Sequence, residues 1–329
     1  MLGEWRETIK ARKWLKKNIP FLYSWHAYVG NELKLFKAFK HPKTVDEVAN
    51  NLSVPKDLLK SWVDVGVAIN HLKKKSSESF QVRKLQLLPK RGSLSGALLK
   101  EMMELHIPSL LSYPDLMKTN TKRHFDHQKH GDVVARTSRL IETIAYPIYK
   151  KLIKEGEISS IVDVGCGHAG YLQKVAEEQP NIEMVGIDNH PLVVQRATEA
   201  CGSFSNIKII HADLHEWAPT NQKNDLVMLN NIMHYIDLDK RESLLSRVSK
   251  WTHKKGKIII ITPVRNAQYG KEFSATFNSF FSAHSNLHPL PNQTELETIA
   301  ANIGMKISQF NPLIKTGSWY IAVFEHKKV

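Results

Sequence analysis

The chain has 329 residues, 42% of them hydrophobic and 24% charged. That suits two folded domains and excludes a mostly disordered, collagenous or disulfide-stapled chain. Net charge is +14 and lopsided: residues 1–150 carry 27 Lys and Arg against 14 Asp and Glu, whereas residues 151–329 carry 19 against 18.

A basic half suits an anionic partner such as nucleic acid, but solubility and partial burial of that face are the simpler expectation. No apolar run approaches the ~18 residues of a membrane helix. Met1 to Lys17 is charged throughout and lacks the apolar centre of a signal peptide. Two cysteines, Cys166 and Cys201, give no disulfide framework and suit a reducing cytoplasm, the expected location.

Residues 1–92 read as short helices followed by a hairpin. Thr44-Val45-Asp46-Glu47 is a capping box, with Val45, Val48, Ala49 and Leu52 on one helical face behind it. Ser53-Val54-Pro55 breaks the chain, and Pro55 is tolerated in the first turn of the next helix. Leu58, Leu59, Trp62, Val63, Val65 and Ile69 make that helix mostly buried. A polar turn at Lys73–Ser79, flanked by Leu72, Phe80 and Val82, completes a winged-helix pattern. Residues 93–157 read as linking helices punctuated by Pro108, Pro114 and Pro147.

Residues 158–329 alternate strands and helices. Strands are expected at 158–164, 182–187, 207–210, 225–229 and 257–261, with helices near 171–178, 191–200, 240–251 and 295–303. This predicts an α/β fold: a doubly wound, mostly parallel sheet with helices on both faces. Two last strands, 305–310 and 318–324, form an antiparallel hairpin, which is not the usual dinucleotide-binding layout.

Asp163-Val-Gly165-Cys-Gly167-His-Ala-Gly170 lies between the first strand of that sheet and its helix. Its glycines permit a tight turn and close approach of a ligand to the backbone, and the helix start offers free N–H groups. The same spacing satisfies the nicotinamide-dinucleotide fingerprint, so the loop alone does not choose a cofactor. Three carboxylates do. Asp163 would repel a pyrophosphate but suits the ammonium of an amino acid. Asp188 ends the next strand and can accept from both ribose hydroxyls, with Asn189 beside it. Asp213, followed by Leu214, can accept from an adenine amino group. Ammonium, ribose and adenine together describe S-adenosylmethionine (SAM).

With these residues the sequence resembles the class I SAM-dependent methyltransferases over residues 158–329. The winged helix and linking helices ahead of that region extend the resemblance to the small-molecule O-methyltransferases of plants and of bacterial secondary metabolism. It implies a seven-stranded sheet, an N-terminal domain that forms a homodimer rather than binding DNA, and a histidine base after the fourth strand of the sheet. That histidine is His234, although the family's usual Asp-Trp after it is here Tyr235-Ile236. An imidazole can take the proton of a phenol or enol at neutral pH. Asn230, nearer the strand end, is the expected cofactor neighbour. Cys166 and His168 are read as filler.

The long insert 262–293 brings Phe273, Phe277, Phe280, Phe281, His284 and His288. It resembles a lid, and Phe277, Phe281 and His284 are candidate acceptor-pocket residues, although helical spacing suits core packing equally. A branch of the same family methylates the carbon beside a 2-keto acid with a bound metal. His234 and His284 resemble its arrangement, but a third ligand is not evident, and no metal is the favoured expectation. Arg136, with Arg139, could pair with an acceptor carboxylate, though solvation is the simpler role. His124, His127 and His130 read as a solvated loop.

The expected activity is methyl transfer from SAM to a small hydroxyl, phenol or enolisable acid. Two other classes compete. A nucleic-acid methyltransferase would grip phosphates with the basic half, but Leu229-Asn-Asn-Ile-Met-His is not an Asn/Asp-Pro-Pro-Tyr motif. In a winged-helix DNA-binding regulator, Asp57 and Asp64 on the second helix would oppose a phosphate backbone.

Overall fold

The computed structural model describes residues 2–84, 88–219 and 223–327, the side chains of Leu2 and Asp132 excepted. The chain divides into two compact units, residues 1–107 and 108–329.

The first unit holds α1 (Leu2–Lys17), α2 (Ile19–Glu32), α3 (Leu35–Ala38), β1 (Lys43–Thr44), α4 (Val45–Leu52), α5 (Lys56–Ala68), β2 (Leu72–Lys74), β3 (Ser79–Val82) and α6 (Leu94–Glu101). The capping box forms: Thr44 Oγ1 accepts from Glu47 N at 3.1 Å, and Glu47 Oε2 accepts from Thr44 N at 2.6 Å. Pro55 sits one position earlier than expected, as the N-cap of α5 rather than inside its first turn. The strands pair in the order β1-β3-β2, giving the winged-helix arrangement. Its core packs Phe39, Val48, Leu59, Trp62, Val63 and Leu72. Leu58, expected inside, is 65% exposed: it lies at the edge of the buried stripe of Leu59, Trp62, Val63 and Gly66, about 100° round the helix from Leu59.

Helix α7 (Ile107–Leu111) starts on the last residue of the first unit, and the second continues with α8 (Tyr113–Thr119) and α9 (His127–Gly156). Pro147 does not end a helix as expected, but lies inside the 30-residue α9. A proline costs a helix one hydrogen bond and a local kink, which packing can offset. That packing is present: Ile141, Ala145, Tyr149, Leu152 and Ile153 all join the sheet core. His127 and His130 are likewise not a loop; they lie in the first turn of α9, which Asp126 caps by accepting from Lys129 N at 3.0 Å.

After α9 come β4 (Ser160–Val164), α10 (Gly170–Glu178), β5 (Glu183–Asp188), α11 (Pro191–Cys201), β6 (Ile207–His211), β7 (Asn224–Asn230), α12 (Arg241–Ser249), β8 (Thr252–Pro263), α13 (Lys271–Ser282), α14 (Gln293–Asn302), β9 (Met305–Pro312) and β10 (Trp319–His326). They make one seven-stranded sheet, ordered β6-β5-β4-β7-β8-β10-β9, parallel except that β10 pairs antiparallel with both neighbours. Two cores flank it, one around Tyr149, Ile161 and Leu172, the other around Val162, Leu229 and Leu296. The strand order reverses between β4 and β7, so a crevice opens at their carboxyl ends, where open α/β sheets bind ligands.

Candidate active site

The glycine loop sits at that crevice. Gly165 and Gly167 have φ of 69° and 56°, in the left-handed region that favours glycine. At Gly165 a side chain would also strike Ile232, 2.5 Å from the place of its first carbon. Gly165 N and Cys166 N donate to Ile187 O at 2.8 and 2.9 Å, tying the loop to β5. Cys166 is buried.

Asp163, at the end of β4, is 1% exposed, and its Oδ1 has no hydrogen-bond partner among the described residues. Burial, then the neighbouring Glu142 and Asp188, push its carboxyl well above the usual range. Asn230, at the end of β7, accepts from the Tyr149 hydroxyl at 2.7 Å, while its Nδ2 is buried without a partner among the described residues. Unpaired buried groups cost free energy unless something satisfies them. A free carboxylate oxygen and a free amide donor at one strand end fit the polar head of an amino-acid-bearing cofactor.

Asp188 is partly buried, and burial raises its pKa. It accepts from Gly167 N at 3.1 Å and His190 N at 3.0 Å, so it also braces the glycine loop. Asn189 beside it is exposed. Asp213 is exposed beyond β6 and accepts from His215 N at 2.6 Å, while Leu214 packs on the second core. Successive strand ends therefore carry Asp163, Asp188 and Asp213 along one edge of the sheet.

His234 follows β7 in a short 3-10 turn and is 6% exposed. Its ring stacks on Phe281 with centroids 4.2 Å apart and planes 15° from parallel. Full burial, then the neighbouring Arg241, hold its pKa down at about 3, and Nδ1 is buried without a partner among the described residues. Arg241 is itself fully buried and donates to Glu295 at 2.6 Å, Met233 O at 2.9 Å and Pro289 O at 2.5 Å, fixing the turn that carries His234.

Phe281 belongs to an aromatic row on α13. Phe277 lies 5.9 Å from Phe281, 4.4 Å from Phe273 and 5.4 Å from Trp319. Trp319 donates from Nε1 to Asn231 Oδ1 at 2.8 Å, which brings the row back to the end of β7. His284 is buried on another side, donating from Nδ1 to Phe280 O at 2.8 Å and meeting Phe125 edge-on at 5.8 Å. Among the described residues no group of three or more His, Cys, Asp or Glu side chains could hold a metal ion. Arg136 is exposed on α9. A separate pocket of about 520 Å³, lined by Arg265, Asn292, Asn311 and Tyr320 among others, contains none of these residues.

Three residues escaped the sequence reading. Trp319 looks like any hydrophobic strand residue. Tyr149 follows the apolar face of α9 but bonds to Asn230. Glu142, one position from Ile141 on the same helix, is 7% exposed, and its carboxylate lies against the α-carbon of Gly170. An acid beside the apolar stripe of an amphipathic helix was the available signal.

Comparison with known proteins agrees with this geometry. Residues 157–307 match the family described as "Methyltransferase domain". Acetylserotonin O-methyltransferase 3 of Oryza sativa subsp. japonica is 33% identical over 110 residues, 32% of this chain and 28% of that protein. Each of the curated relatives compared is matched over less than half its own length. Among solved structures, the mitomycin 7-O-methyltransferase MmcR superposes with a TM-score of 0.80 at 14% identity, covering 99% of this chain and 100% of that one. Human N-acetylserotonin methyltransferase, solved in complex with SAM, gives 0.76 at 14% identity, covering 97% and 98%. Residues 157–307 thus match a methyltransferase domain, and the chain has the fold of the solved methyltransferases it superposes on.

Proposed function

We propose that this protein transfers a methyl group from SAM to an oxygen of a small aromatic or enolic acceptor. The observation that carries this reading is the pairing of two features on one strand end. Asn230 closes β7 beside the glycine-loop carboxylates, and four residues later His234 lies buried against Phe281.

SAM supplies a methyl group on a sulfonium, which an acceptor oxygen displaces in line. The protein must bind both partners and exclude water. Asp163, the loop from Gly165 to Gly170, Asp188, Asn189, Asp213, Leu214 and Asn230 are the proposed cofactor residues. Phe277 and Phe281, with Phe273 and Trp319, offer flat apolar surface for a ring-bearing acceptor. His234 is neutral at pH 7. It can still accept the proton, because an oxygen acquiring a methyl group becomes strongly acidic as the bond forms.

The N-terminal unit is proposed to form a homodimer. Trp5 (69% exposed), Trp14 (68%) and Leu15 (70%) stand out on α1, all of whose described side chains are exposed. The three lie on different faces of α1, and the apolar area they leave in solvent is what supports an association surface. The proposed location is the cytoplasm; among the described residues no helix is long and apolar enough to cross a membrane.

The test is transfer from methyl-labelled SAM into an extract of the source cell, separated into small molecules, protein and RNA. Label in small molecules, insensitive to a chelator, is the expected result. Label in RNA would overturn the reading and make the basic N-terminal half the substrate grip. Loss of label with a chelator would point to metal-dependent C-methylation.

A further inference from the structure

The glycine spacing leaves one feature unexplained. Gly170 opens α10 with an ordinary helical φ, so alanine would be conformationally acceptable there. What excludes a side chain is Glu142. A methyl group on Gly170 would land on Glu142 Oε2 and lie 2.6 Å from its Cδ. The third glycine of the loop therefore makes room for a carboxylate delivered by α9.

That carboxylate is an unusual guest. Glu142 is 7% and Asp163 1% exposed; Glu142 raises the proton affinity of Asp163, and both raise that of Tyr171. Burial is the largest influence on both. Lys174 and Arg139 are near enough to oppose this at Glu142, but among the described residues no cationic side chain pairs with either carboxylate. Burying two acids side by side without a cation is costly in free energy. An independent observation points to a ligand at the same place: Asn230 Nδ2, 91% buried with its residue, has no acceptor among the described residues, while its oxygen is held by Tyr149, whose hydroxyl lies in the field of Asp163. Two acceptors for a cation and one donor for a carboxylate are the complement of a zwitterionic amino acid.

We propose that Glu142 is a cofactor-binding residue, which with Asp163 forms a two-carboxylate seat for the α-ammonium group of SAM, and that Gly170 is glycine to admit it. The proposal rests on the SAM-dependent reading above. It assigns Glu142 to the amino-acid end of the cofactor rather than to the nucleoside end, where Asp188 and Asp213 serve.

The test uses calorimetric titration of the full-length protein with three probes: SAM, S-adenosylhomocysteine, and 5′-methylthioadenosine, which has no amino-acid group. In Glu142→Gln, affinity for SAM and S-adenosylhomocysteine should fall together by tenfold or more, as expected for loss of a charge-assisted hydrogen bond. Affinity for 5′-methylthioadenosine should stay within about twofold, since its contacts lie elsewhere. Gly170→Ala should give the same pattern by displacing the carboxylate. In a Glu142→Ala background, Gly170→Ala should add nothing, because the obstacle is already gone. Unchanged affinity for the two amino-acid-bearing probes in Glu142→Gln would overturn the proposal. So would an equal loss for all three, which would make Glu142 a support for the pocket as a whole. Failure of the unaltered protein to bind SAM would instead overturn the SAM-dependent reading itself.

Discussion

His234 and Phe281 stack face to face at 4.2 Å, joining the turn after β7 to the helix of the long insert. The imidazole is therefore held by an aromatic face from α13 and by Arg241 beneath its backbone. No carboxylate hydrogen-bonds to it among the described residues, in contrast to histidines that an acid partner makes more basic.

This arrangement predicts a pH profile. Because His234 is pushed down to about 3, it stays neutral from pH 5 upward. The kcat/KM of methyl transfer should show no limb near pH 6.5 that disappears in His234→Asn. The same variant should lower kcat by ~10²- to 10⁴-fold, the usual contribution of a positioned base, with SAM affinity retained. A limb near 6.5 assigned to His234 by that comparison would contradict the geometry.

Asp188 has two jobs, accepting from Gly167 N and His190 N while facing the proposed ribose site. Asp188→Asn keeps the size but turns one oxygen into a donor opposite an N–H. SAM affinity should fall by at least tenfold. Asp213→Asn, at an exposed position, should cost less than Asp188→Asn. Isothermal titration of both variants checks the order.

Arg241 is fully buried and its partners are Glu295, Met233 O and Pro289 O. Arg241→Met would leave Glu295 without its guanidinium and two carbonyls without donors. Removing one partner of a buried pair costs ~3–5 kcal/mol. Glu295 keeps a weaker contact with Arg265 at 3.6 Å, so the lower end is expected. Urea unfolding measures the loss, and Arg241→Lys should not rescue it fully, because a lysine cannot span three acceptors with one planar fork.

In the first unit His26 lies flat on Trp62, with centroids 4.0 Å apart, and donates from Nε2 to Trp62 O at 3.1 Å. Its Nδ1 must then accept from His71 Nδ1, 3.0 Å away. Burial, then His71, push His26 down to about 3, and burial lowers His71 as well. The unfolded chain therefore binds protons below pH 6.5 that the folded chain refuses. Stability from this pair is fully present above 6.5 and lost as pH falls toward 3, by up to ~1.4 kcal/mol per pH unit for each histidine. His26→Gln can keep both hydrogen bonds without the charge. It should be less stable at pH 7 yet show a shallower decline between pH 6.5 and 4, read from urea unfolding across pH.

The features legible in the sequence were those that local chemistry decides. Asp163, Gly165 and Gly167 report a strand end and a left-handed turn, and Thr44 with Glu47 reports a helix start. The parallel strands show as apolar runs because both faces are covered. Residues placed by tertiary contact were not legible. Pro147 looked like a break because its cost is local, whereas the packing that offsets it comes from the sheet. His127 and His130 were the exception, read as a loop although the local signal was present in Asp126, which caps α9 by accepting from Lys129 N. Glu142 and Gly170 are 28 residues apart, and only the approach of α9 to α10 makes one explain the other.

The most direct measurement is calorimetric titration of the purified protein with SAM and, separately, with NAD. The carboxylates at the ends of β4 and β5 and after β6 predict saturable binding of SAM at a single site per chain, abolished or strongly weakened in Asp188→Asn, and no binding of NAD. Binding of NAD without SAM would contradict the account at its centre, because the glycine loop would then be holding a pyrophosphate beside Asp163.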